Sequence, residues 1–295
     1  MQALKFAQAY KLFTLELRAQ NLAQTTLDTY GGLLPPFFTW LEGEGIEDVA
    51  SVQPVHVKMY LAHLRDRELS DYHMRNAYNA VNKFYNVLMA EGVVSASPTA
   101  KVAKPIVSAD MEPAYTAGEI RKLLAAARNG RDKAIITTLA GSGLRAFELL
   151  ALNWADINFD DDSITVTKGK WRVARRVYVS ASTMKALYRW KMAQDDPRPA
   201  DPVFITLDGT NNRLSRSRLF KWMRDYCQRA RVEEKALHAF RRYYAVESAK
   251  AGVPLPLLAR LMGIKNIPVL IAHYLPFIDD DVREAAGKVD VLKNI

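Results

Sequence analysis

Apolar residues recur three and four positions apart through Ala3 to Leu17, Thr25 to Leu41, Pro54 to Leu64 and Tyr72 to Met89, the period of a helix that buries one face. Four such segments predict one small helical bundle over residues 1–95. Pro35-Pro36 should break or bend the second helix, because proline supplies no N–H and its ring collides with the carbonyl four residues back. Gly92 and the Ser95-Ala-Ser-Pro98 stretch close the fourth. The period is lost between Lys101 and Ala117, around Pro105, Ser108 and Pro113, and this stretch reads as an extended linker.

Helical signals return at Thr116, which has Glu119 three residues on, the spacing of a capping box, and a second helix starts near Arg131. Between 157 and 180 the period drops to about two, in Ile164-Thr-Val166 and Val177-Tyr-Val179, which predicts a small antiparallel sheet. Val203-Phe-Ile205 is the candidate to extend it. From Ser180 onward the remaining pattern is helical. The expected fold is mainly α with a small antiparallel β-sheet. A helical N-terminal domain would cover 1–105, a linker 106–116, and an α+β domain 117–295 with a C-terminal helix over Asp279 to Leu292. A chain of 295 residues suits two domains.

Composition narrows the function classes. The chain is 49% apolar and 25% charged, ordinary for a globular protein, and no run approaches the roughly 18 apolar residues that span a bilayer. The N-terminal MQALKFAQAYKLFTLELRAQ has no continuous apolar core of a secretory signal, so the expected location is the cytoplasm, away from membranes. One cysteine, Cys227, excludes an internal disulfide and a cysteine-cluster zinc site, and the five histidines lack metal-ligand spacing, so no metal or other cofactor is expected.

The formal net charge is +9 and the pI about 9.5, which points to a polyanionic partner, although a charge of this size also serves solubility alone. Its distribution is uneven. Residues 1–110 hold 10 Lys and Arg against 11 Asp and Glu, whereas residues 111–295 hold 31 against 21.

Three short motifs carry candidate chemistry. Gly141-Ser-Gly-Leu-Arg145-Ala-Phe-Glu148-Leu-Leu places an arginine at a helix start after a glycine-rich turn, where backbone N–H groups and a guanidinium can converge on one anion. Alone, an Arg-x-x-Glu is more often a surface ion pair. Leu237-His238-Ala-Phe-Arg241-Arg242 sets His238 and Arg241 on one helical face. Ile271-Ala-His273-Tyr274-Leu275 places a tyrosine shortly after a helix that ends near Gly263; taken singly, such a tyrosine is usually a packing anchor.

In this order and at these separations, the motifs resemble the tyrosine recombinase or phage integrase family. That family's pattern is Arg, a β-hairpin Lys, His-x-x-Arg, a His or Trp, and a nucleophilic Tyr. The Gly-x-Gly-Leu-Arg-x-x-Glu-Leu-Leu-x-Leu block matches its first box, and the Leu-Met-Gly-to-Tyr274 spacing its last. The resemblance covers most of 116–285, and more loosely the helical N-terminal half, which resembles the family's core-site-binding domain.

The resemblance implies a DNA recombinase that works through a 3′-phosphotyrosyl intermediate without metal or ATP. Arg145 and Arg241 would clamp the scissile phosphate, with His238 as acid/base partner and Tyr274 as nucleophile. Lys170, counted back from Arg175-Arg-Val-Tyr-Val, would be the general acid, with Lys168 as the alternative. The partner implied is double-stranded DNA carrying a specific site, bound by a homotetramer. The chain departs from the pattern at Ile264, where the family has His or Trp and where a neighbour such as His273 or Lys265 could substitute, and at Arg242, where a second His often stands. Candidate DNA contacts are Arg75, Tyr78, Asn79 and Lys83 on the fourth helix, and Lys168, Arg216, Arg218 and Arg242 further on. Competing readings are a catalytically silent DNA-binding protein of the same fold and a type IB topoisomerase-like enzyme.

Overall fold

The computed structural model describes residues 4–107, 113–167, 174–274 and Gly287. The chain divides into two compact units, Met1–Asp110 and Met111–Ile295. No single helix among the described residues is long and apolar enough to cross a membrane.

Unit 1 contains α1 (Phe6–Ala19), α2 (Gln24–Gly43), α3 (Pro54–Asp66) and α4 (Asp71–Ala90). Helix α4 starts where the Ser70 hydroxyl accepts the His73 N–H. It buries Met74, Ala77, Ala80, Val81, Phe84, Tyr85, Val87 and Leu88, a stripe three and four residues apart against the other three helices. Aromatic rings fill the centre, with Phe6 stacked on Phe38 at 5.1 Å and Phe84 edge-on to Phe13 at 5.4 Å.

Pro35-Pro36 does not break α2, which runs unbroken through both prolines. The carbonyls that lose their N–H partners belong to Gly31 and Gly32, and Cβ-free residues give the backbone room to adjust below the proline rings. Burial of Leu34, Phe37, Phe38 and Leu41 around the prolines offsets the lost bonds. Tyr78 has a structural use as well. Its hydroxyl is directed at the carbonyls of Val102 (3.1 Å) and Thr99 (3.4 Å), pinning the segment that follows α4.

Unit 2 begins with α5 (Ala117–Ala126), α6 (Gly130–Ser142) and α7 (Ala146–Ala151), followed by β1 (Ile157–Asn158), β2 (Ser163–Val166) and β3 (Arg175–Tyr178). Five further helices follow among the described residues: α8 (Ala181–Met192), α9 (Arg216–Ala230), α10 (His238–Lys250), α11 (Leu255–Met262) and α12 (Ile267–Tyr274). The capping box is formed, with Thr116 Oγ1 accepting the Glu119 N–H and Glu119 accepting the Thr116 N–H. Helix α6 is the axis of the unit: Ala134, Ile135, Ile136 and Leu139 are fully buried, and α8 and α10 pack on it.

The sheet is antiparallel in the order β1-β2-β3, with Ile164 opposite Val177. Val203-Phe-Ile205 does not extend it; Ile157–Asn158 supplies the third strand. The Val203 amide donates instead to the Leu152 carbonyl, and Phe204 accepts from the Leu214 amide. Val203 and Phe204 are both fully buried, so that run is a core connection between helices and lacks the alternation of a half-exposed strand.

Candidate active site

Helix α6 ends at Gly143 in the left-handed conformation (φ +62°), and a Cβ there would sit 2.5 Å from Cδ1 of Tyr244. Only glycine fits, and the tight turn it makes delivers Arg145 to the N-cap of α7. The Arg145 amide donates to Glu148 Oε2 at 2.8 Å and its Nη1 to Oε1 at 3.3 Å. The Glu148 side chain is 0% exposed, so the Arg-x-x-Glu pair is a buried pair.

Two helices bring the other groups to this turn. His238 is the first residue of α10 and Arg241 lies one turn further in. Arg241 is 1% exposed. Its Nη1 donates to the Gly143 carbonyl, its Nη2 to the Met262 carbonyl at 2.6 Å, and its Nε to the Tyr274 hydroxyl at 3.3 Å. One guanidinium thus joins the arginine turn, the end of α11 and the tyrosine, and two of its five N–H groups have no partner among the described residues. Arg145, with its side chain 19% exposed, is the more open of the two arginines.

Tyr274 closes α12 and is 6% exposed. It belongs to a small core with Ala245, Leu258, Ala259, Met262 and Leu270, against which Ile264 packs. Its hydroxyl lies 2.8 Å from His238 Nε2. Burial, followed by the positive charges of Arg241, Arg242 and Arg145, pushes the His238 pKa down to about 4. The imidazole is therefore neutral at pH 7 and able to accept a proton. Burial and repulsion from Arg145 lower the Arg241 pKa to about 10, which leaves it charged at neutral pH. For Glu148, burial acts to raise the pKa, but hydrogen bonds from Arg175 and the Arg145 amide, with both guanidinium charges, outweigh it and hold the carboxyl below its usual range.

Arg145, His238, Arg241 and Tyr274 thus come together from positions spread over more than a hundred residues. Lys170 and Lys168 lie outside the described residues, as does Asp279 to Leu292 apart from Gly287. The His273 side chain is exposed, and its carbonyl accepts from Arg242 Nε at 3.4 Å. Lys265 is likewise exposed. Arg216 and Arg218 are exposed on α9, with Arg216 over the Phe220 ring at 5.3 Å and Arg218 paired to Asp208 at 2.7 Å. Arg75 and Lys83 are half-buried on α4. No group of three or more His, Cys, Asp or Glu able to hold a metal occurs among the described residues.

Sequence reasoning missed one participant. Arg175, at the start of β3, holds Glu148 in a two-pronged pair, Nη1 to Oε1 and Nη2 to Oε2, both 2.8 Å. The available signal was an arginine opening the Arg175-Arg-Val-Tyr-Val segment.

Comparison with known proteins identifies the family. Residues 11–92 match the phage integrase N-terminal SAM-like domain, and residues 114–276 match the phage integrase family. Tyrosine recombinase XerC of Roseiflexus sp. is 26% identical over 84% of this chain and 82% of its own length. Tyrosine recombinase XerA of Pyrococcus horikoshii is 24% identical over 96% and 94%. Among solved structures, the Tn1549 transposon integrase in complex with a circular intermediate DNA aligns with a TM-score of 0.76 at 16% identity, covering 95% of this chain and 99% of that one. A lambda integrase dimer bound to a core site aligns at 0.73 and 15%, covering 98% and 100%. The matched stretch 114–276 takes in Arg145, Glu148, His238, Arg241 and Tyr274 and is more than half of the chain, which therefore belongs to the phage integrase family.

Proposed function

We propose that this chain, a site-specific DNA recombinase, cuts and rejoins duplex DNA with Tyr274 as the nucleophile. The observation that carries this reading is the Tyr274 hydroxyl held between a neutral His238 (2.8 Å) and the Arg241 guanidinium (3.3 Å). A phosphodiester repels nucleophiles through its negative charge, so its non-bridging oxygens must be neutralised first. Arg145 and Arg241 supply fixed positive charge for this.

Tyr274 Oη then attacks phosphorus while its proton passes to His238 Nε2. A bond from phosphorus to the tyrosine forms, the bond to the 5′ oxygen breaks, and the DNA 3′ end is left on Tyr274. The leaving 5′ oxygen takes a proton from a general acid, the role assigned to Lys170, with Lys168 the alternative. The ester conserves the bond energy, so a 5′ hydroxyl from another duplex can reverse the step without ATP.

Exchange between two duplexes requires four strand cuts, each leaving a covalent tyrosine, so the working assembly is a homotetramer on DNA in the cytoplasm. We assign the helical unit before residue 106 to binding the core site and residues 117–295 to catalysis. The test is a nicked suicide duplex carrying candidate sites. Wild type should give an SDS-resistant protein–DNA band that Tyr274→Phe lacks. Tight binding of a cognate site with no band from wild type would contradict the reading and favour a silent DNA-binding protein.

A further inference from the structure

Arg175 stands outside the set that meets Tyr274, yet it touches three parts of the framework around it. It opens β3 opposite Val166, the pair of the β2–β3 ladder nearest the connection between the two strands. Its two terminal nitrogens occupy both oxygens of Glu148. Its stem and Nε lie against Gly263, where a Cβ would come within 2.8 Å of Nε and 2.9 Å of Cδ; Gly263 is itself left-handed (φ +61°) and ends α11. Its Nε is buried with no hydrogen-bond partner among the described residues, while both terminal nitrogens are held by Glu148. Glu148 meets a second arginine, but weakly: Arg145 reaches it with one guanidinium contact of 3.3 Å.

We propose that Arg175 is a positioning residue that saturates Glu148 and thereby keeps the Arg145 guanidinium available for the scissile phosphate. The assignment rests on Arg145 as a phosphate clamp. A carboxylate with a fully buried side chain must be matched by a cation, and a two-pronged arginine is the strongest match. Arg175 supplies it. Without Arg175 the cation already in contact is Arg145, whose fork would close on Glu148, leaving a neutral pair where the phosphate needs positive charge. With Arg175 in place the two arginines and one carboxylate carry one surplus positive charge.

The test measures single-turnover adduct formation by wild type, Arg175→Gln and Arg175→Lys on two nicked duplexes. One carries the normal scissile phosphodiester. The other carries a methylphosphonate there, in which an uncharged methyl replaces a non-bridging oxygen and removes the charge to be neutralised. Arg175→Gln should slow the phosphodiester by about tenfold or more while leaving the methylphosphonate near the wild-type rate. Arg175→Lys keeps the buried charge but offers one prong, and should show a smaller defect of the same selectivity. Equal slowing of both substrates by both variants, the mark of general damage to the fold, would overturn the assignment; so would undiminished phosphodiester cleavage by Arg175→Gln. Failure of wild type to form any adduct on a cognate site would sink the transesterification reading, and this assignment with it.

Discussion

At the scale of single residues, His238 decides the acid side of the chemistry. A histidine with an ordinary pKa near 6.5 would lose its capacity to accept a proton just below neutrality. With its pKa at about 4, His238 stays neutral well into mild acid. The value of kcat/KM for adduct formation should therefore hold from pH 8 to about pH 5, with its acid limb close to the free-enzyme pKa of the base. A midpoint near 6.5 would contradict the assignment. The same shift bears on stability. The unfolded chain binds this proton more readily than the fold does, so the contribution of neutral His238 is complete above pH 6.5 and is lost as pH falls toward 4. His238→Ala should lower the cleavage rate by about a hundredfold or more, the usual range for a general base, while site binding persists in a gel-shift assay.

Among the secondary-structure elements, the turn after α6 and the α11–α12 pair set the geometry. Gly143→Ala would force a side chain into a left-handed position and into the Tyr244 ring, and should cost about 1 to 3 kcal/mol in denaturant melts. It would also displace the carbonyl that holds Arg241. Met262→Ala, in the small core beneath Tyr274, should cost about 2 to 5 kcal/mol and reduce adduct formation more than DNA affinity.

These elements also show how far the sequence could be read. Local spacing was enough to place Arg145 at a turn and His238 with Arg241 on one helical face, whereas the grouping of these residues with Tyr274 came only from the resemblance of the whole set to a family, because each motif alone is as common in packing or surface pairs. The Glu148–Arg175 pair was not, because it joins residues 27 positions apart through a strand-to-helix contact that no local period encodes. Pro35-Pro36 does not interrupt the helix as a break would, and the propensity argument omits the burial of Leu34, Phe37, Phe38 and Leu41 around it. Val203-Phe-Ile205 misled because an apolar run reads alike as strand or as buried connection.

For the whole molecule, charge governs the encounter with DNA. Basic excess is confined to residues 111–295, with 31 Lys and Arg against 21 Asp and Glu. Affinity for a cognate duplex should fall linearly in log–log form as salt rises. Arg216→Ala, on the exposed face of α9, should reduce the magnitude of that slope by about one; an unchanged slope and affinity would remove Arg216 from the interface. The covalent step is tested by locating the site of attachment. The SDS-resistant adduct would be digested with protease and nuclease, and the nucleotide-bearing peptide sequenced by mass spectrometry. A nucleotide joined through its 3′ phosphate to Tyr274 is expected; attachment at any other residue, or at a 5′ phosphate, would rule out Tyr274 as the nucleophile of a 3′-phosphotyrosyl intermediate.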